Sequence, residues 1–219
     1  MKREEISAAA RRGGRNSSFR CCGHFSSSFL CWLFLCALAA AQDAPAVRVW
    51  FEPKSMRAPV TLPLTGAQRT EIALGRLTED GLERFSKRVM GLLGLTHEQA
   101  FAIGRENAAA DLATLTPRYQ RDRHKVIQYA ELTSPRPIVA SAVLAPKFLA
   151  MFKETLGDEV LVVVPSRFTA YVFPKLASRY QEYYPMVFEA YRATAWPVSV
   201  EVFEFSAAGI RAIGVYDEP

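Results

Sequence analysis

Glu159-Val-Leu-Val-Val-Val-Pro165 runs directly into Ser166-Arg167-Phe168 and then Thr169-Ala-Tyr-Val-Phe173. An unbroken apolar run, β-branched at nearly every position, predicts a strand covered on both faces. The three-residue break has the chemistry of a tight turn, so the second apolar run returns beside the first as a hairpin. A central hairpin buried on both sides needs further strands at its edges and helices on its faces.

Those elements can be read outward from it. On the C-terminal side, 175–194 has helical spacing, interrupted or restarted at Pro185. Val198-Ser-Val-Glu-Val-Phe-Glu-Phe205 and Ile210 to Tyr216 then predict a second hairpin around Ala207-Ala208-Gly209. On the N-terminal side, Pro146 suits the first turn of a helix carrying Phe148, Leu149, Met151 and Phe152 as far as Gly157. Ile138 to Val143 reads as a strand or a strand-to-helix entry, and Lys125 to Leu132 as a strand. Thr96 and Gln99 have the spacing of a capping box opening a helix towards Pro117. Thr78 is the expected N-cap of a preceding helix, with Leu82, Phe85, Val89 and Leu92 on one face and Gly94 ending it. The sum is α+β: a largely antiparallel sheet of about five strands with helices packed on it, in one domain over 76–219. Residues 42–75 hold Pro45, Pro53, Pro59 and Pro63, whose spacing predicts an extended arm or edge strand.

The first 41 residues have a different character. Lys2, Arg3, Arg11, Arg12, Arg15 and Arg20 precede an apolar core at 29–41 that ends in Ala39-Ala40-Ala41, the pattern of a cleaved export signal. The core is too short to span a bilayer comfortably, which takes about 20 apolar residues. The mature chain is expected to begin near Gln42 and to lie in the periplasm or outside the cell, with no stable membrane span. Cys21, Cys22, Cys31 and Cys36 leave with the signal, taking thiol catalysis, disulfides and thiolate metal sites with them. The chain carries 27 basic and 22 acidic residues, and cleavage leaves 21 against 20. So balanced a charge is no signature of nucleic-acid binding, and none is expected.

Leu92-Leu-Gly-Leu-Thr-His-Glu-Gln-Ala-Phe101 with Asn107, Ala140-Ser141, Gly157-Asp158 and Leu161-Val-Val-Val-Pro-Ser-Arg167 together resemble the YtpQ-like domain of unknown function, over about residues 78–206. The resemblance implies an α+β fold and no agreed activity. The family often has an acidic residue after the arginine of the Val-Pro-Ser-Arg turn, where Phe168 stands here.

Candidate chemistry is sparse. His97-Glu98 opens like a zinc-protease helix, but Phe101 occupies the position of the second histidine, so no metal is expected. Ser166, on its turn, is a serine nucleophile only if His97 or His124 reaches it as base; turn geometry explains it equally. Arg167, at the sheet end, has a guanidinium suited to a ligand carboxylate or to an internal acid. Arg118 to Lys125, with Arg121, Arg123 and His124, reads as a solvated loop or a polyanion site. Tyr180, Tyr184, Phe188 and Tyr191 recur at helical spacing, with Tyr183 and Trp196 nearby, either as core or as the lining of a groove. No phosphate-cradling glycine loop is present and no cofactor is expected. The expectation is an exported binding or interaction module, its unknown protein or small-ligand partner meeting Arg167 or Tyr184; a serine-type hydrolase on Ser166 is the alternative.

Overall fold

The computed structural model describes residues 47–79, 81–177 and 180–216; the export signal expected at 1–41 lies outside the described residues. In chain order, the first half gives β1 (Val47–Pro53), β2 (Thr61–Pro63), β3 (Thr70–Thr78), β4 (Gly81–Arg84), α1 (Lys87–Leu93), α2 (His97–Leu112) and β5 (Arg118–Arg121). The second half gives β6 (Ile127–Thr133), α3 (Val139–Ala142), α4 (Phe148–Leu156), β7 (Val160–Ser166), β8 (Thr169–Pro174), α5 (Tyr184–Arg192), β9 (Glu201–Ser206) and β10 (Gly209–Val215). Every named strand pair is antiparallel, so the molecule is α+β as expected.

The larger sheet has six strands in the order β10-β9-β7-β8-β6-β5, not five. The sixth is β5, hidden in the sequence because its residues Arg118-Tyr-Gln-Arg121 are mostly exposed edge positions without an apolar alternation. The β7–β8 hairpin is central, and β7 is buried along its whole length. Its two faces separate cleanly by the strand period of two. Val160, Val162 and Val164 join Leu132, Val172, Phe203 and Phe205 in a core covered by Phe148 and Phe152 of α4. Leu161 and Val163 face the other way, with Tyr171, Phe173, Val202 and Tyr216, and are covered by Val187 of α5.

Within the segment read as an arm, residues 47–75 do not stand apart. β1 pairs along its length with β3, from Val47 opposite Arg76 to Pro53 opposite Thr70, and β2 and β4 flank β3 on its other side. β3 itself crosses the boundary read at residue 76. Pro53, Pro59 and Pro63 lie at strand ends and in connections, where a missing N–H costs nothing. Phe51 of β1 stacks on Phe203 at 4.8 Å between ring centroids, tying this four-stranded sheet to the larger one. Gly104 of α2 lets that helix lie against β1: a Cβ there would come within 2.6 Å of Val49 Cγ1.

Local signals fare unevenly. Thr96 and Gln99 form the reciprocal capping box, and Gly94 ends α1 at φ 62°. The helix expected from Thr78 starts later, at Lys87, with the Ser86 side chain accepting from the Val89 N–H. Thr78 instead donates to the Gly81 carbonyl at 2.9 Å, closing the β3–β4 turn. Of the stretch Ile138–Val143, Val139–Ala142 is helical, and Pro185 lies in the first turn of α5, where the chain restarts after the Tyr180–Tyr183 turn.

Candidate ligand-binding cleft

Arg167 has an internal acid as its partner. Its guanidinium is buried, its Nη2 lies 2.8 Å from Glu52 Oε2, and it is sandwiched between the rings of Trp196 (4.7 Å) and Trp50 (5.9 Å). Glu52 also accepts from Trp50 Nε1 and from Arg84, whose Nε approaches Oε1 at 2.9 Å. A planar guanidinium suits such a two-sided stack as well as the carboxylate. Arg167 therefore joins the two sheets at the β7–β8 turn, and its carboxylate need is met inside the fold. Glu52 was hidden to sequence reasoning; the available signal was an acid inside the apolar run Val47-Arg-Val-Trp-Phe-Glu52.

Ser166 serves the same turn. It is buried, and its hydroxyl accepts from the Phe168 N–H at 3.2 Å. His97 is exposed in the first turn of α2, and His124 is exposed at a hairpin tip, where its Nε2 accepts from Arg123 Nε. Among the described residues no hydrogen bond joins either imidazole to Ser166. The basic stretch is likewise engaged internally: Asp122 Oδ1 accepts from the N–H groups of His124 and Val126, and Arg121 Nη1 donates to the Lys125 carbonyl at 2.9 Å. Glu182 lies across the depression that it borders, which blunts its positive field. Among the described residues no group of three His, Cys, Asp or Glu side chains is placed to hold a metal, and no helix is long and apolar enough to cross a membrane.

The aromatic residues do come together. Tyr184 stacks on Phe188 at 5.2 Å and Phe188 on Tyr191 at 6.2 Å, forming a half-buried column along α5. Tyr216 closes it from the sheet side, edge-on to Tyr180 at 6.0 Å, with its hydroxyl donating to the Tyr180 carbonyl at 2.6 Å. Burial raises the Tyr216 hydroxyl well above the ordinary tyrosine range, so it stays a donor at neutral pH. Burial, reinforced by Glu131, likewise pushes Tyr171 on the same sheet face up to about 12.

At the end of this column lies a cleft of about 570 Å³. Its lining includes the rings of Phe188, Tyr191 and Tyr216 and the polar side chains of Lys54, Gln68 and Arg69. The fold places it at the seam between the two sheets, where the β1 and β3 ends meet the chain entering β9. Lys54 Nζ donates to the Ala67 carbonyl at 2.8 Å, which braces the 67–69 loop. Arg69 is exposed, and among the described residues its guanidinium makes no hydrogen bond or ion pair. Among the described residues, no carboxylate borders the cleft. Two cations, Lys54 and Arg69, border the same cleft as the rings of Phe188, Tyr191 and Tyr216, a combination suited to an apolar body bearing a negative group. Tyr184 supports this floor from behind, through Phe188.

Sequence reasoning missed Lys54, Gln68 and Arg69, because single polar residues in Pro-rich connections carry no periodic signal. Compared with known proteins, the chain matches no family model, no curated protein and no solved structure.

Proposed function

We propose that this is an exported, non-catalytic binding domain, and that the cleft between Arg69 and the Phe188–Tyr191 column receives a small ligand with an apolar body and an anionic group. The observation that carries the reading is the pairing of an unmatched guanidinium with a half-open aromatic floor in a cleft of about 570 Å³. That volume falls within the range of small-molecule sites. Among the described residues neither His97 nor His124 is hydrogen-bonded to Ser166, which leaves hydrolysis without a supporting base. Export rests on the leader at 1–41 and its alanine run.

The test is calorimetry with 3-phenylpropionate and its uncharged counterpart 3-phenylpropanol. The acid binds more tightly to the wild-type chain, Arg69→Ala removes that preference, and Phe188→Ala weakens both compounds. Equal affinity for the two, or a preference that survives Arg69→Ala, overturns the anionic part. N-terminal sequencing of the protein recovered outside the cytoplasm starts at Gln42; recovery of a cytosolic chain still beginning at Met1 overturns export.

A further inference from the structure

A depression of about 770 Å³ lies between the β5–β6 hairpin and the Tyr180–Tyr183 turn, and shares no bordering residue with the cleft that holds Arg69. The register of the hairpin decides which side chains share a face there. Gln120 lies directly opposite Tyr129 and Arg121 opposite Ile127, so Gln128 is the extra residue of a bulge. Residues directly opposite in an antiparallel pair project to the same face, and a bulge re-aims its extra side chain. Gln120 and Tyr129 thus share the sheet face on which Tyr129 meets Tyr183, at 5.1 Å between ring centroids. Gln128 is turned to that side as well, since its Oε1 accepts from the Tyr183 hydroxyl at 3.4 Å.

This face has hydrogen-bonding capacity to spare. Among the described residues, the Tyr129 hydroxyl and the Gln120 side chain make no hydrogen bond. Gln128 Nε2 donates to the Val126 carbonyl at 3.3 Å, which leaves one of its two amide hydrogens. Tyr129 is half-buried, and burial raises its hydroxyl above the ordinary tyrosine range, so it stays a donor at neutral pH. The charges nearby offset one another: Arg121 and Arg123 border the depression together with Asp122 and Glu182. Among the described residues, no aliphatic side chain lines it.

Two tyrosine rings beside two amides and a phenol, with balanced charge, suit a ligand of three properties. It is uncharged, apolar on one flat face, and edged with groups that both donate and accept. A pyranose ring has all three, with a C–H face for a tyrosine and hydroxyls for the amides. We infer that this depression is a subsite for one neutral sugar unit of an oligosaccharide, separate from the cleft that holds Arg69. A peptide would have to add to β5 as a strand, and an edge four residues long beside a bulge offers it few main-chain partners. An acidic polymer would meet two carboxylates along with the two guanidinium groups.

The test is titration of the wild-type chain, followed by its glutamine side-chain amide signals in isotope-edited NMR. Maltohexaose, cellohexaose and chitohexaose are the neutral probes, and a heparin hexasaccharide is the acidic one. At least one neutral probe is expected to bind saturably and to shift the Gln120 and Gln128 amides. Tyr129→Phe keeps the ring and removes only the hydroxyl, so affinity for that probe falls about fivefold, the effect of one hydrogen bond of about 1 kcal/mol. Gln120→Ala, at an exposed position, lowers it as well. Absence of saturable binding for every neutral probe overturns the sugar subsite. Tighter binding of the heparin hexasaccharide overturns it too, and makes the depression a site for acidic polymers. Neutral binding that is unchanged in both variants, or is displaced by 3-phenylpropionate, puts the sugar elsewhere and overturns the assignment.

Discussion

A carboxylate with no exposed surface persists only when its charge is matched, and Glu52 is matched by Arg84 and Arg167 on its two oxygens. Breaking a buried pair by removing one partner leaves the other charge stranded, at a cost of about 3–5 kcal/mol. Glu52→Ala is therefore expected to lose stability of that order in urea melts, with two guanidinium groups left without their acid. A loss under about 1 kcal/mol would mean that the cluster is not held by this charge. Asp111 is the opposite case. Burial raises its pKa despite Arg48 at 3.0 Å and the more distant Arg136, and the Ser141 hydroxyl approaches without completing a hydrogen bond. A carboxyl raised in the folded state binds its proton more tightly there than when unfolded. Stability then falls as pH rises from the ordinary carboxylate value through the raised one. Relative to Asp111→Asn, the wild-type chain is expected to gain stability as pH falls from 7 to about 4, measured by denaturant midpoints across that window. A difference independent of pH would remove burial as the dominant influence.

At the scale of elements, what the sequence revealed depends on how much periodicity each segment carries. β7 and β8 were legible because both faces of β7 are buried and Val, Leu and Phe fill them without interruption. The Thr96–Gln99 box and Gly94 were legible because caps use a few residues at fixed offsets. β4 was not: Leu82 and Phe85 fit a helical spacing as well as a strand, and only the Thr78–Gly81 turn and pairing with β3 settle it. Gly75 shows why such pairing leaves little trace in one sequence. A Cβ there would come 1.9 Å from the Glu83 carbonyl oxygen of β4 and 2.6 Å from the edge of the Trp50 indole, so β3 needs a glycine here, yet nothing local marks it. The cleft was half legible for the same reason. Its aromatic side is a helical stripe with a period, whereas Lys54 comes from one connection and Gln68 and Arg69 from another.

For the whole molecule, the strongest consequence is that the proline-spaced segment before residue 76 belongs to the core. Trp50, Phe51 and Leu74 are each fully buried, and Phe51 bridges to Phe203 of the larger sheet. At about 1.5–3 kcal/mol for each large apolar side chain buried, these three contribute roughly 5–9 kcal/mol. The net stability of a domain this size is about 5–15 kcal/mol, so the segment supplies a large part of what keeps the chain folded. It also supplies Glu52, without which Arg167 loses its acid inside the β7–β8 turn. A chain beginning at Asp43 is expected to unfold cooperatively with a sharp thermal transition. One beginning at Arg76 is expected to lose that transition and its dispersed amide spectrum, because β1, β2 and most of β3 go together. An intact, cooperative fold in the shorter chain would show that the six-stranded sheet and its helices stand alone. The cleft's Lys54–Arg69 wall would then be an attachment to a finished domain instead of part of its frame.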